Sequence, residues 1–319
     1  MNGNMESKRK VLILGAKGML GQELARTYRE DEGYEVAAWD YEDIDVTDFA
    51  AAERKIRGFA PALIVNAVAY NAVDQCEEDE DEYRKAVLLN AEVPGFLARL
   101  AKDMDAALIH YSTDYVFDGD LEENKVKTGC CGGGCCGAGS SSPGYDETSV
   151  PNPISRYGES KLRGESAVQS AGGTFYLIRL SKLFGKPATS AIGKKSFFEK
   201  MLEVAQDKKE VTVVDDEKSC FTYAPDLALA SKVLEQSGSP SGIYHIVNEG
   251  AATWYEAAQE LFKVAGMDVT VKPVAADTFP RPARRPKCSA LLNTRFLPLR
   301  PYTEALEEFL GSGHANEAR

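Results

Sequence analysis

The sequence predicts an α/β protein with a doubly wound parallel sheet and a smaller C-terminal lobe. The first observation is a continuous apolar run at 11–14, typical of a strand buried on both faces, followed by a glycine turn and a helical pattern to Tyr28. The second is the repetition of this order, with apolar strands predicted at 34–39, 62–66 and 107–112. Alternating strands and helices are typical of a parallel sheet covered by helices on both faces.

The composition limits the classes of function. The 319 residues allow one large domain or two joined ones, and no apolar run reaches membrane-spanning length. The net charge of -12 argues against a nucleic-acid-binding face, which needs clustered basic residues. Residues 1–10 lack the apolar core of a secretory signal. We therefore expect a cytoplasmic protein without a membrane or nucleic-acid partner.

The first glycine turn predicts a dinucleotide site. Glycines let backbone amides approach a pyrophosphate, whose charge then lies at the positive end of the following helix. The spacing is Gly-x-x-Gly-x-x-Gly rather than the commoner Gly-x-Gly-x-x-Gly, so a tight turn without a ligand is the alternative. The residues of this turn assigned to the cofactor are Gly15, Lys17, Gly18, Met19, Leu20 and Gly21.

The sequence leaves the choice between NADH and NADPH open. Asp40, at the end of the second strand, would accept hydrogen bonds from an adenosine ribose and so favours NADH. Lys17 favours NADPH, because its ammonium would meet a 2′-phosphate. Asp45 and Val46, a few residues further on, are also assigned to the cofactor.

Small residues and hydroxyls follow the third and fourth strands, at the sheet edge where ligands of such folds bind. Thr113 follows the fourth strand, and its hydroxyl would bind a substrate carbonyl. His110, inside that strand, is interpreted as a satisfied core histidine. Close packing between helix and sheet is the alternative for the small residues after the third strand. Those assigned to the cofactor are Ala67, Val68, Ala69 and Tyr70.

An acidic run occupies residues 74–81, where six of eight side chains are carboxylates. Such a run is typical of a solvated helix start, which the helix dipole favours. The alternative is a subunit contact or a divalent-ion site, so Mg²⁺ is left open.

A tyrosine and a lysine four positions apart, Tyr157 and Lys161, predict a proton-transfer pair. On a helix this spacing places both side chains on one face. A neighbouring ammonium favours the phenolate, so we expect Lys161 to lower the pKa of Tyr157. The pattern alone is weak, because both residue types are common on exposed helical faces.

Residues 120–145 predict a flexible inserted loop, because the composition shifts to Gly, Ser, Cys and charge. Two pairs of adjacent cysteines, 130–131 and 135–136, are poorly spaced for structural zinc. We expect an oxidation-prone loop and no metal.

The remaining patterns divide the chain into a dinucleotide-binding domain and a lobe. The domain spans 8–180, with 211–247 partly returning to it, and the substrate-binding lobe takes 181–210 and 248–312. Within the lobe, the proline-rich basic segment 279–286 would bind a diphosphate through Arg284 and Arg285. A solvated extended linker is the alternative.

Taken together, these motifs resemble the dTDP-4-dehydrorhamnose reductase family, within the extended short-chain dehydrogenases/reductases. The resemblance extends from about residue 10 to 310. It is carried by Gly-Ala-Lys-Gly-Met-Leu-Gly at 15–21, Asn-Ala-Val-Ala-Tyr at 66–70, Ser-Thr-Asp-Tyr-Val-Phe-Asp-Gly at 112–119, Tyr-Gly-Glu-Ser-Lys at 157–161 and Pro-Ala-Arg-Arg-Pro at 282–286.

The resemblance implies a Rossmann-type fold, a homodimer, and NADPH- or NADH-dependent reduction of the C4 ketone of a nucleotide-activated deoxysugar, dTDP-4-dehydro-L-rhamnose. Tyr157 would be the general acid, Lys161 would also hold the nicotinamide ribose, and Thr113 would hydrogen-bond the ketone oxygen. The residues assigned to the substrate are Val116, Phe117, Lys182, Arg284 and Arg285.

Two departures from the family pattern put the exact sugar in doubt. Lys182 stands where the family has a tryptophan against the substrate, and 219–223 differs from the family's Gly-x-Pro-Thr-like run. Other readings are another sugar-nucleotide reductase or epimerase, or a non-catalytic regulatory subunit like the methionine adenosyltransferase β subunit. A dehydratase is disfavoured because Tyr115, not Glu, follows Asp114.

Overall fold

A six-stranded, all-parallel sheet forms the centre of the fold, seen in a computed structural model that describes residues 8–121, 143–190 and 193–314. The strands, numbered along the chain, are β1 Arg9–Leu14, β2 Tyr34–Trp39, β3 Leu63–Asn66, β4 Ala107–Thr113, β5 Phe175–Leu180, β6 Leu183–Phe184, β7 Glu210–Val214, β8 Lys218–Cys220, β9 Thr222–Tyr223, β10 Gly242–His245, β11 Ala251–Thr253 and β12 Thr270–Val274.

Helices connect these strands and cover both faces of the sheet. They are α1 Met19–Arg29, α2 Phe49–Phe59, α3 Gln75–Glu78, α4 Glu80–Val87, α5 Val93–Asp103, α6 Arg156–Ala171, α7 Phe197–Asp207, α8 Ala224–Gln236, α9 Trp254–Val264 and α10 Tyr302–Phe309. Short π-helical turns follow α4 and α10, and 3₁₀ turns occur at Asp114–Val116 and Ala276–Thr278.

The sheet order is β10-β5-β4-β3-β1-β2, which confirms the predicted doubly wound α/β class. Leu14 at the end of β1 is in register with Trp39 on one side and Asn66 on the other. The chain winds outward in both directions from β1, so the connections after β1 and β3 lead to helices on opposite faces of the sheet, α1 and α5. In such folds the ligand crevice lies at this point. This is the edge at which the sequence places the cofactor residues.

Alternating side chains of the strands enter two different cores. Val11 and Ile13 pack with α1 and α8 on one face, whereas Leu12 and Leu14 pack with α2 and α5 on the other. Period-2 alternation in strands buried on both faces explains why 11–14 is a continuous apolar run. His110 is fully buried in β4: its Nδ1 lies 3.1 Å from Asn66 Nδ2, but its Nε2 has no partner among the described residues.

The smaller lobe has its own core, in which α7, α9 and α10 surround a two-stranded parallel sheet of β7 and β12. Ser196 and Thr253 begin α7 and α9 with the capping boxes expected of such sequences. Within 211–247, α8 and β10 pack on the main sheet, but β7 pairs with β12. The lobe therefore includes the start of that segment.

Two further expectations meet the structure only in part. The acidic run is not simply solvated, since Asp74 pairs with Arg285 and Glu77 accepts a hydrogen bond from the backbone N–H of Arg156.

The cysteine pairs of the inserted loop lie outside the described residues. At the end of that range, Tyr145 is buried and stacks on Phe117 at 4.1 Å. Across the described ranges, no helix has the length and apolar character needed to cross a membrane.

Gly21 provides a test of the turn between β1 and α1. A Cβ at this position would lie 2.0 Å from the carbonyl oxygen of Gly15, so Gly21→Ala forces the turn apart. We expect a loss of roughly 2–3 kcal/mol in the free energy of unfolding, measured by urea denaturation. Gly58→Ala in α2 is the matched control, because its Cβ would meet nothing within 4 Å. It should be neutral or stabilising by up to about 1 kcal/mol. Equal losses in both variants would contradict the crowding.

Candidate active site

The glycine turn forms a cradle that fits a dinucleotide pyrophosphate. Gly15 has φ +76°, in the region that favours glycine, and an added Cβ would lie 3.0 Å from the backbone of Ala67. Helix α1 begins at Gly18 with no side-chain cap, and no acidic residue lies in its first turn. Its first backbone N–H groups and the positive end of its dipole are thus available to an anion.

Asp40 and Lys17, the two residues that favour different cofactors, both have side-chain partners within the protein. Asp40 accepts hydrogen bonds from the backbone N–H of Lys17 at 2.7 Å and of Tyr41 at 2.9 Å. The ammonium of Lys17 pairs with Glu42 and lies 5.9 Å from the centre of the Tyr41 ring. Asp40 therefore stabilises the glycine turn through the backbone of Lys17, and Glu42 neutralises the charge of the Lys17 side chain.

The other residues assigned to the cofactor differ in position: some lie at the strand ends beside the glycine turn, and one is buried in the core. Asp45 accepts two hydrogen bonds from Thr47, which hold its pKa below the usual range. The side chain of Val46 is buried in the sheet core. Ala67 lies directly against Gly15, and Tyr70 exchanges backbone hydrogen bonds with the side chain of Asn90. Val68 N–H donates to Asn66 Oδ1, and Ala69 is partly exposed at the same strand end.

Asn90 connects this loop to α6, a role that the sequence analysis missed. Its side-chain amide also donates to the Ser160 hydroxyl at 3.0 Å, and that hydroxyl donates to the Tyr157 carbonyl at 2.7 Å. An added Cβ on Gly164 of α6 would lie 2.0 Å from the Asn90 carbonyl oxygen. The small residues of α6 are therefore needed for close contact, and they bring the tyrosine to the β3 edge.

Tyr157 lies at the start of α6, which Ser155 caps by accepting a hydrogen bond from Gly158 N–H. Its ring packs edge-on against Tyr115, with centroids 5.8 Å apart, and its hydroxyl lies 3.5 Å from Asn71 Oδ1. Burial raises the pKa of Tyr157, an effect that a hydrogen bond with Thr113 opposes. The protein alone thus keeps the phenol protonated.

The expected lowering of this pKa by Lys161 is therefore wrong for the protein by itself. The Lys161 ammonium donates to the Tyr111 carbonyl at 3.1 Å, and burial lowers its own pKa to about 8. Glu165, one turn further along α6, acts in the opposite direction on Lys161. The Lys161 ammonium is held by the β4 backbone, and burial is the largest influence on the pKa of Tyr157.

Asp114 organises the hydroxyls around Thr113. It is 3% exposed and accepts hydrogen bonds from Thr113 at 3.0 Å, from Ser181 at 2.8 Å and from Ser289 at 2.6 Å. Burial raises its pKa, and these three hydroxyls oppose the rise. Because Thr113 gives its proton to Asp114, its oxygen accepts a hydrogen bond from the backbone N–H of Tyr115.

A cavity of about 260 Å³ opens beside Asn71 and carries the charged groups of the site. Arg285 lines it and forms a bidentate pair with Asp74, at 2.5 and 2.6 Å. Lys194 lies on the same wall. Arg284 is exposed and does not line this cavity, so the structure separates the two arginines that the sequence grouped.

A second cavity of about 380 Å³ shares Asn71 and Val73 with the first, and five of its twelve lining residues are aromatic. Phe197, Phe221 and Trp254 line it together with Lys182. Trp254 comes from the lobe and was not anticipated, since nothing local in the sequence distinguishes it from a core residue of α9.

Val116 and Phe117 line neither of these two cavities, and their assignment to the substrate is corrected. Both side chains have no exposed surface, and Phe117 stacks between Tyr145 and the guanidinium of Arg179. The 3₁₀ turn after β4 directs them into a core with Leu291. Tyr115, between Asp114 and Val116, is the aromatic residue that reaches the site instead.

The fold and this arrangement define a dinucleotide-binding α/β protein with the Thr-Tyr-Lys constellation of the short-chain dehydrogenases/reductases. The profile of the RmlD substrate binding domain matches residues 9–314, and the chain belongs to that family. In the described ranges, no group of three His, Cys, Asp or Glu side chains is arranged to hold a metal.

Named relatives and solved structures agree with this family. A probable dTDP-4,6-dihydroxy-2-methyloxan-3-one 4-ketoreductase of Streptomyces antibioticus is 36% identical, over 93% of each chain. The dTDP-4-dehydrorhamnose reductase of Mycobacterium tuberculosis is 35% identical, over 95% of this chain and 93% of the relative. The Bacillus anthracis dTDP-4-dehydrorhamnose reductase, solved in complex with NADP, superposes with a TM-score of 0.81 at 31% identity, covering 96% of this chain and 100% of that one.

Lys182→Met tests the burial of the amine through the pH dependence of stability. Burial lowers the folded-state pKa of Lys182 to about 7 from 10.5, so between these values the unfolded chain binds more protons and stability rises with pH. The variant loses this dependence. We expect it to be more stable than the wild type near pH 7, on the order of 2 kcal/mol or more, with the gain shrinking towards pH ~10.

Urea denaturation at several pH values measures this difference. Lys263→Met, which removes an exposed lysine of α9, is the matched control and should show no such trend. A gain for Lys182→Met that stays constant with pH would contradict a buried amine.

Proposed function

We propose that this protein reduces the C4 ketone of a nucleotide-activated deoxyhexose, dTDP-4-dehydrorhamnose, with NADPH or NADH. The observation that carries the proposal is the protonated phenol of Tyr157, held beside Thr113 and Asn71 at the edge where the glycine cradle opens. The relatives named as dTDP-4-dehydrorhamnose reductases supply the substrate. The same names favour an enzyme over the regulatory subunit.

The cradle of Gly15, Gly18 and α1 would hold the pyrophosphate of the cofactor, and Lys161 would reach its nicotinamide ribose. When bound, the nicotinamide supplies the hydride that the ketone carbon accepts. Charge then grows on the ketone oxygen, and Tyr157 gives it a proton as general acid. Reduction needs the phenol in its protonated form, the form that burial favours.

Thr113 would act first as an acceptor. Its proton points to Asp114, so its oxygen would be free to accept the Tyr157 O–H, which in this structure points to Asn71 Oδ1. Once Tyr157 has given its proton away, Thr113 can turn its hydroxyl and stabilise the phenolate. This differs from the role implied by the resemblance, in which Thr113 donates to the ketone oxygen itself.

The two cavities would divide the substrate. Arg285 and Lys194 provide positive charge for the diphosphate, although Asp74 offsets part of the charge of Arg285. The aromatic cavity would take the hexose, whose C–H faces pack well on rings. A cytoplasmic location and a homodimer stay predictions, which cell fractionation and light scattering of the purified protein would check.

Tyr157→Phe is the direct test of the proton donor. Removal of the hydroxyl should lower kcat/KM for dTDP-4-dehydrorhamnose by about 10²–10⁴, because no group replaces the general acid. Nicotinamide absorbance measures turnover, and fluorescence titration should show unchanged cofactor binding. Tyr83→Phe makes the same change in the same hydrophobic cluster and should retain activity. Full activity in Tyr157→Phe would eliminate the proposed role.

Glu42→Gln tests the choice of cofactor. Loss of the carboxylate frees Lys17 and removes a negative charge close to where a 2′-phosphate would bind. We expect the affinity for NADPH relative to NADH to rise by up to about fivefold, as befits an exposed ion pair. Glu53→Gln, which breaks an exposed pair with Arg57 on α2, is the control. Equal ratios in both variants would show that Lys17 does not read the phosphate.

A further inference from the structure

Lys182 has a buried amine without a hydrogen-bond partner. Its Nζ is shielded from solvent and meets no donor or acceptor among the described residues. A buried polar group normally finds a partner, because leaving it unpaired costs stability. Lys182 also lines the second cavity, so a ligand that enters this cavity is a candidate for the missing hydrogen-bond partner.

The neighbours of the amine are aromatic rings. Nζ lies 3.7 Å from the centre of the Trp254 ring and 4.8 Å from that of Phe221. The indole N–H of Trp254 donates to Glu217 at 3.1 Å, and Arg281 also pairs with Glu217. The ring is therefore fixed from behind, and the amine lies over a rigid apolar surface.

Two carboxylates act electrostatically on the amine, but both already accept hydrogen bonds from other groups. Asp114 and Glu217 both favour the charged form of Lys182, which burial disfavours more strongly. Asp114 holds three hydroxyls, and Glu217 holds Trp254 and Arg281. Neither carboxylate is within hydrogen-bond distance of Nζ. The amine is thus influenced by negative charge and still lacks an acceptor.

The backbone fixes the direction of the side chain. Lys182 has φ +35°, which a residue with a Cβ rarely adopts. The turn is locked on both sides of this position: the Thr222 N–H donates to the Lys182 carbonyl at 3.2 Å, and the Thr222 hydroxyl donates to the Ser181 carbonyl at 2.6 Å. An unfavourable backbone conformation held in this way is typical of functional sites.

The cavity brings this amine close to the proton donor. Its lining includes Asn71, whose side-chain oxygen lies 3.5 Å from the Tyr157 hydroxyl. A hexose whose C4 oxygen meets Tyr157 would therefore extend its ring substituents towards Lys182.

We propose that Lys182 is a specificity-determining residue, whose amine donates a hydrogen bond to a ring hydroxyl of the hexose and selects hydroxylated 4-keto sugars over their deoxy analogues. This inference rests on the proposed function. A site that hydrogen-bonds a substrate hydroxyl discriminates strongly against the analogue without it, because the buried donor is then left unpaired. A lysine amine can donate whether it is charged or neutral, so the lowered pKa does not remove this role.

The test compares kcat/KM for dTDP-4-dehydrorhamnose with kcat/KM for its 2-deoxy and 3-deoxy analogues. The wild type should prefer the hydroxylated sugar to one of the analogues by about 10² or more. Lys182→Met should lose at least about tenfold of that preference, through a lower value for the hydroxylated sugar. Lys263→Met removes an exposed charge on α9, away from the lining of this cavity, and should keep the ratio.

Each outcome has a defined meaning. A wild-type preference that Lys182→Met leaves intact for both analogues, or the lack of any preference, overturns the inference while the proposed function stands. Absence of turnover by the wild type with every keto sugar overturns the proposed function and the inference together.

Fluorescence gives a second readout that does not depend on turnover. The sequence has two tryptophans, so Trp39→Phe leaves Trp254 as the reporter. Its emission should titrate with a midpoint near pH 7, a titration that Lys182→Met abolishes. Binding of dTDP-rhamnose should raise the midpoint, because an acceptor oxygen favours the ammonium form. A midpoint that the nucleotide sugar does not move would count against a hydrogen bond to the sugar.

Discussion

The site depends on the hydrogen bonds that three hydroxyls donate to the buried carboxylate of Asp114. Its two oxygens collect hydroxyls from Thr113 at the end of β4, from Ser181 after β5, and from Ser289 in the C-terminal segment. Three parts of the chain, far apart in sequence, are thereby held around one buried negative charge. A buried carboxylate is costly unless it is fully hydrogen-bonded, so these hydroxyls are constrained to point inward. The Thr113 hydroxyl owes its orientation to this constraint.

A second buried charged group, Glu165, stabilises the position of α6 on the sheet. Glu165 on α6 forms a salt bridge with Arg179 on β5 in which both side chains are 1% exposed, and it also accepts a hydrogen bond from Ser112. Removal of one member of such a pair would leave an uncompensated buried charge. The pair lies one turn beyond Lys161, so it fixes the position of α6 against β5 and against β4, the strand that ends in Thr113.

Local features of the sequence were sufficient for much of the fold and part of the site. The glycine turn, the strand alternation and the Tyr157–Lys161 spacing each depend on neighbours a few residues away, and each was predicted. Asp114 was not recognised, because its partners Ser181 and Ser289 are distant in sequence. Val116 and Phe117 were assigned to the substrate for the same reason: only the contact with Tyr145 and Leu291 shows that they face a core.

The composition of the lobe has a consequence for how the protein is made. Its core combines Phe198 and Phe221 with Leu261 and Phe309, while α8 and β10, between them in sequence, belong to the main sheet. Non-local contacts of this kind form late, after the loop-closure entropy has been overcome. During synthesis, the aromatic side chains of α7 would therefore wait for α10, about a hundred residues later, before their core is complete. The nascent chain would expose part of this apolar surface until α10 has been synthesised.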